Sequence, residues 1–217
     1  TTNSIGAPSA GWLNDFGKII SRRFDTEQRD RPLVEAAQRG WDIDSWRPLL
    51  LWHMSLSDPL LAHFITRWLF DLRESGIVVI KSASARDFLR DYLRENLQPD
   101  QKMWSEVNLS SSANGLLRTA VEFHLLRGRT TKEFASFRLP EQSFMYMLYA
   151  LMERERNTRH VIHATDWRLF LLHAEQVEEE LLRLHQYGKL RFERAGTFLE
   201  LTLPCQHTED FIRNRAG

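Results

Sequence analysis

"MWSEVNLSSSANGLLRTAVEFHLLRG", residues 103–128, is the stretch whose reading decides the fold. Three serines, Ser110, Ser111 and Ser112, open a segment that continues Leu-Leu-Arg-Thr-Ala-Val-Glu-Phe. Small hydroxyl side chains favour helix starts, because their oxygens accept from backbone N–H groups that have no partner in the first turn. The pattern predicts a helix of about four turns, led by the serines and closed at Gly128. Two readings fit it. The serines cap an ordinary core helix, or they and Asn114 present hydroxyl and amide groups to a phosphate backbone.

Working outward, the preceding segment "SARDFLRDYLREN" carries Phe88, Leu89, Tyr92 and Leu93 at helical spacing, with Ser84 and Asp87 placed as a capping box. Met103–Val107 reads as one turn around Trp104, a wedge before the Ser-led helix. "RGRTTK", 127–132, reads as a wing or loop. Helix, turn, helix and basic loop over residues 84–138 is the layout of helix-turn-helix and winged-helix modules, whose second helix meets DNA. From 110 to 138 five basic residues (Arg118, Arg127, Arg129, Lys132, Arg138) stand against Glu122 and Glu133. The candidate DNA contacts are therefore Ser110, Ser111, Ser112, Asn114 and Arg118 on the helix, and Arg127, Arg129 and Lys132 in the loop.

The flanking sequence predicts more helix. Trp12, Leu13, Phe16, Ile19 and Ile20 form an apolar stripe after a flexible leader, 1–11. Asp44 reads as the cap of Ser45–His53. Asp58 followed by Pro59 opens a helix that Gly76 stops. Ile77–Ile80 is a short strand or a buried turn. Pro140-Glu141 opens another helix, and the polar stretch 154–165 reads as a linker. In the remaining region, 166–217, Asp166 caps Trp167–Leu172 and Gly188 stops the helix Ala174–Tyr187. Strands Lys189–Arg194 and Thr197–Leu203 then face each other around Ala195-Gly196. This predicts a mainly α protein: a helical domain over 12–153, then a small helix-plus-hairpin, winged-helix-like region. The early glutamates at 175 and 178–180 suit a helix N-terminus but argue against DNA contact by that helix.

Bulk composition narrows the class. Lys plus Arg and Asp plus Glu are both 29, giving zero net charge. A protein that binds nucleic acid by charge alone is thereby excluded, since that term scales with phosphates neutralised. The single cysteine, Cys205, excludes an internal disulfide. No apolar run approaches the roughly 20 residues of a membrane span. No signal peptide is evident, and a cytoplasmic protein is expected. Phosphate-loop, dinucleotide-binding, Cys-x-x-Cys and nucleophile-elbow motifs are all absent. His160, His163 and Asp166 are too loosely spaced for a metal trio, so no cofactor and no catalytic residue are expected. "PDQK", 99–102, lacks the second acid-x-lysine a nuclease site needs.

"DPLLAHFITRWLFDLRESG", "FLRDYL", "MWSEVNLSSSANGLLRTAVEFHLLRG" and the helix around "FMYMLYALME" run in the order found in the BrxA-like proteins of bacteriophage-exclusion (BREX) systems, which the chain resembles over roughly residues 55–185. Trp104-Ser105, Ser110–Ser112, Leu116-Leu117 and Gly128 match that family's pattern. The resemblance implies a mostly helical, non-enzymatic accessory protein of a phage-defence system. It also implies double-stranded DNA binding, and work beside methyltransferase and ATPase components. The alternative from the residues is a protein-interaction scaffold without nucleic acid.

Overall fold

The computed structural model describes residues 24–25, 28–196 and 198–214. The leader and the Trp12–Ile20 stripe lie outside these residues. The described chain is mainly helical. Helix α1 (Arg31–Gln38) has Pro32 in its first turn. Helix α2 (Ile43–Ser57) is capped by Asp42, whose carboxylate accepts from the Asp44 and Ser45 N–H groups. The cap thus lies two residues before the Asp44 expected from sequence.

Asp58 caps the next helix through the Leu61 N–H, as Asp-Pro predicts. This helix runs through α3 (Pro59–His63), a π-helical segment (Phe64–Leu69) and α4 (Phe70–Glu74). Gly76 follows at φ +71°, a left-handed stop that glycine adopts without a Cβ clash. Strand β1 (Val79–Ile80) resolves the Ile77–Ile80 ambiguity in favour of a strand. Helix α5 (Ser82–Asn96) begins two residues before Ser84, with no side-chain cap. The capping box expected at Ser84 and Asp87 does not form, and Asp87 binds Arg90 instead. His63 stacks on Phe88, and Phe64 and Trp68 meet it at a tilt, which fixes α5 across the preceding helix.

Helix α6 (Glu106–Glu122) packs on α5 through Leu109, Ala113, Leu117 and Ala120. Spacings of four, four and three residues keep these side chains on one face. Strands β2 (Leu126–Arg127) and β3 (Lys132–Phe134) follow. The three-stranded sheet is antiparallel in the order β1-β3-β2, with Val79 opposite Glu133 and Leu126 opposite Phe134.

Helix α7 (Glu141–Glu155) crosses the centre of the molecule, burying Phe144 through Tyr149 on every side. The stretch expected as a linker holds α8 (Thr158–Ile162), with Val161 and Ile162 buried. A 3-10 turn, Thr165–Phe170, follows. Asp166 does not cap it. Its carboxylate accepts from the Trp52 indole at 2.7 Å and from the Arg154 guanidinium, tying the turn to α2 and α7. Helix α9 (Ala174–Gln186) ends before Gly188 at φ +68°. The hairpin β4 (Arg191–Ala195) and β5 (Phe198–Thr202) pairs Phe192 with Leu201 and Ala195 with Phe198. Helix α10 (Thr208–Asn214) returns to pack on α1 and α7. One continuous apolar core runs from Leu33 to Ile212.

Candidate nucleic-acid interface

Helix α6 starts earlier than the serine run suggests. Ser105 is its N-cap, with the Oγ accepting from the Asn108 N–H at 3.3 Å. Ser110, Ser111 and Ser112 therefore sit one turn inside the helix, where their N–H groups serve the i→i−4 ladder. Those backbone N–H groups are not free for phosphate, whereas the Ser111 hydroxyl stays exposed. The helix start itself carries Glu106, bound to Arg90 at 3.0 Å. A carboxylate there already complements the helix dipole and disfavours a second anion. Trp104 is no buried wedge either. It is 36% exposed and lines an open groove with Tyr92 and Lys102.

Beyond its exposed first turn (Glu106, Val107 and Asn108), α6 turns Ser111, Asn114, Gly115, Arg118 and Glu122 to solvent. They recur at three- and four-residue steps, opposite the buried stripe. Ser110 and Ser112 lie half-buried at the flanks of that face. Of the predicted helix contacts, the structure thus groups Ser111, Asn114 and Arg118 on one outward surface.

The β2–β3 turn completes the surface. A groove of about 520 Å³ lies between α6 and the β2–β3 turn, lined by Asn114, Leu117, Arg118, Gly128, Arg129 and Lys132 among others. Gly128 shapes the turn. Its φ is +102°, and a Cβ there would stand 2.1 Å from the Thr131 carbonyl oxygen, so no other residue fits.

The four basic side chains are not equivalent. Arg127 points outward and donates to Glu133 at 3.1 Å. The Lys132 ammonium donates to the Gly128 carbonyl at 2.9 Å and to that of Arg129, so it holds the turn closed from within. Among the described residues Arg118 and the Arg129 guanidinium have no partner, and both are exposed. Sequence reasoning missed Arg86 on α5. Its Nε is buried without a hydrogen bond among the described residues. Nothing in a helical pattern marks such an atom.

The second helix-plus-hairpin unit differs in charge. In α9, Glu178 pairs with Arg194 and Glu180 with Arg183 at 2.6 Å, while Glu175 and Glu179 stay exposed. Among the described residues no three His, Cys, Asp or Glu side chains group to hold a metal ion. No helix among them is long and apolar enough to cross a membrane.

The molecule is thus a mainly helical protein in which one solvent-facing helix and a strand turn enclose a basic groove. The family model described as BrxA matches residues 2–150, and the chain belongs to the BrxA family. Membership makes it a component of a BREX phage-defence system. No curated protein matches the chain, and no solved structure does.

Proposed function

We propose that this chain is a non-enzymatic, cytoplasmic, DNA-binding component of its BREX system, and that residues 59–134 work as a winged-helix module. The order of elements supports this reading. Helix, strand, helix and helix are followed by two strands, and β3 closes the sheet between β1 and β2. In such modules the third helix enters a groove of the duplex and the strand turn touches the flanking backbone.

One observation carries the reading. Arg118 and Arg129, from two different elements, face one groove with no carboxylate bound to either among the described residues. Two unpaired guanidiniums beside hydroxyl and amide side chains suit phosphate oxygens. Few exposed cations line the groove, so few phosphates are neutralised and affinity is modest and falls with salt on a shallow slope.

Fluorescence anisotropy with a labelled duplex across a salt series tests it. Arg129→Ala should weaken binding and flatten the slope of log K against log salt by about 1, for one lost phosphate contact. Absence of binding by the wild type at low salt overturns it.

A second reading concerns α9. Exposed Glu175 and Glu179 repel phosphate, and Leu182 is 42% exposed beside them. This helix is suited to a protein partner, such as the methyltransferase or ATPase components of the system.

A further inference from the structure

Gly115 is the anomaly on α6. It sits in the interior of a 17-residue helix, where glycine is the poorest helix former except proline. Interior glycines normally answer to a neighbour that leaves no room for a side chain. Here nothing among the described residues lies within 4 Å of the place a Cβ would occupy, and its φ is not in the left-handed region. Neither packing among the described residues nor backbone geometry requires it. Its face is the outward one, shared with Ser111, Asn114 and Arg118.

We propose that α6 lies in the major groove of duplex DNA and reads base edges, with Asn114 and Arg118 as the reading side chains and Gly115 as the point where the helix backbone comes closest to the bases. The inference rests on the DNA-binding reading above and extends it from backbone contact to sequence recognition.

The chemistry is specific. An asparagine amide pairs with adenine N6 and N7, and an arginine guanidinium with guanine O6 and N7, each through two hydrogen bonds. Both side chains are exposed, and neither has a hydrogen-bond partner among the described residues. They stand four residues apart, which is about 6 Å along the helix axis, or roughly two base-pair steps. Asparagine is short, so it reaches a base edge only if the helix seats deeply. A glycine beside it and a serine one turn earlier remove the bulk that would hold the helix out. Glu122, at the C-terminal end of the exposed face, limits the contact to the preceding turns.

The test is selection from a random-sequence duplex library at about 0.15 M salt, followed by anisotropy on the enriched and a scrambled duplex. The wild type should enrich a short motif with an adenine and a guanine about two base pairs apart. Asn114→Ala should relax the adenine position and Arg118→Ala the guanine position, each lowering discrimination roughly 10- to 100-fold. Gly115→Ala should raise Tm by about 2–4 °C, because alanine favours the helix. It should also lower affinity for the enriched duplex roughly 10-fold and leave the scrambled duplex nearly unchanged.

Salt-dependent binding with no enriched motif overturns base reading and leaves the backbone reading intact. No binding at low salt removes both. If Gly115→Ala is stabilised but keeps its motif and affinity, or if it is destabilised, Gly115 is not the point of close approach.

Discussion

The Nδ1 of His53 lies 2.5 Å from Oδ1 of Asp30, and both side chains are sealed from solvent. An ionised carboxylate only accepts, so the imidazole donates from Nδ1, which leaves Nε2 to accept from the Tyr146 hydroxyl at 2.8 Å. Arg29 closes the other side of Asp30 with two hydrogen bonds, and the Asp25 N–H adds a third. Every polar atom of the carboxylate is satisfied, and the chain before α1 is fastened to α2 and α7.

Removing the imidazole should cost heavily. His53→Phe leaves the Tyr146 hydroxyl without its acceptor and Asp30 without its buried donor. A loss of about 3–5 kcal/mol is expected, as for breaking one member of a buried charged network. Tyr146→Phe deletes only one hydrogen bond and should cost about 1–2 kcal/mol. Urea denaturation at pH 7 measures both. Equal losses for the two variants would refute the ranking.

The same network makes the fold acid-sensitive. Burial lowers the His53 pKa below its ordinary 6.5, only partly offset by Asp30. Burial raises that of Asp30, but the His53, Arg29 and Asp25 hydrogen bonds outweigh it and hold the carboxyl well below the usual range. Both folded-state values are depressed, so both contributions are complete above the unfolded-state values and fade as pH falls. Tm should hold between pH 7 and 8. It should decline from about pH 6.5 as unfolded histidine takes up its proton, and fall further below about pH 4. His53→Phe should lose the first part of that decline, which thermal melts across pH will reveal.

Glu141, at the first position of α7, accepts from Arg183 at 2.9 Å and from Lys189, joining α7 to α9 and the turn beyond it. Burial pushes its pKa up, yet these two cations hold it at about 2. Its stabilisation is complete above the ordinary value of 4.5 and lost as pH falls toward 2. Glu141→Gln should cost about 1 kcal/mol at pH 7, discounted for partial exposure. Its deficit should shrink between pH 4.5 and 3. A deficit that stays constant with pH would rule out the ion pairs as its source.

Serines in and before α6 should separate cleanly. Ser105→Ala removes the cap and should cost about 0.5–1 kcal/mol. Ser111→Ala replaces an exposed interior serine by the best helix former and should leave stability equal or slightly higher. If the surface binds DNA as proposed, Ser111→Ala weakens binding while Ser105→Ala acts only through stability. Paired melts and anisotropy distinguish them.

What the sequence made legible was punctuation. Asp58-Pro59, Gly76, Pro140 and Gly188 fixed helix ends because a cap, a fixed φ or a positive φ is a local requirement. The β4–β5 hairpin was legible for the same reason. The start of α6 was not. Ser105 and Ser110 are equally good caps by type, and the choice fell to Leu109 and Ala113, whose burial on α5 draws the serines into the helix. Asp166 looked like a cap but is claimed by Trp52, 114 residues away. The Asp30–His53–Tyr146 chain spans separations of 23 and 93 residues, so no local pattern announces it. At the candidate interface the residue types were readable. Which cations are already occupied was not, because that depends on where Glu133 and the carbonyls of the β2–β3 turn fall.

The tight turn at Gly128 also bears on how such a protein could diversify. Any side chain there collides with the Thr131 carbonyl, so the turn cannot be altered one substitution at a time. Arg129, Thr130 and Thr131 are all exposed, and extra residues between them would lengthen the loop without touching the core. Changes in the length of this loop are therefore accommodated between Arg129 and Thr131, with the glycine retained as its fixed pivot.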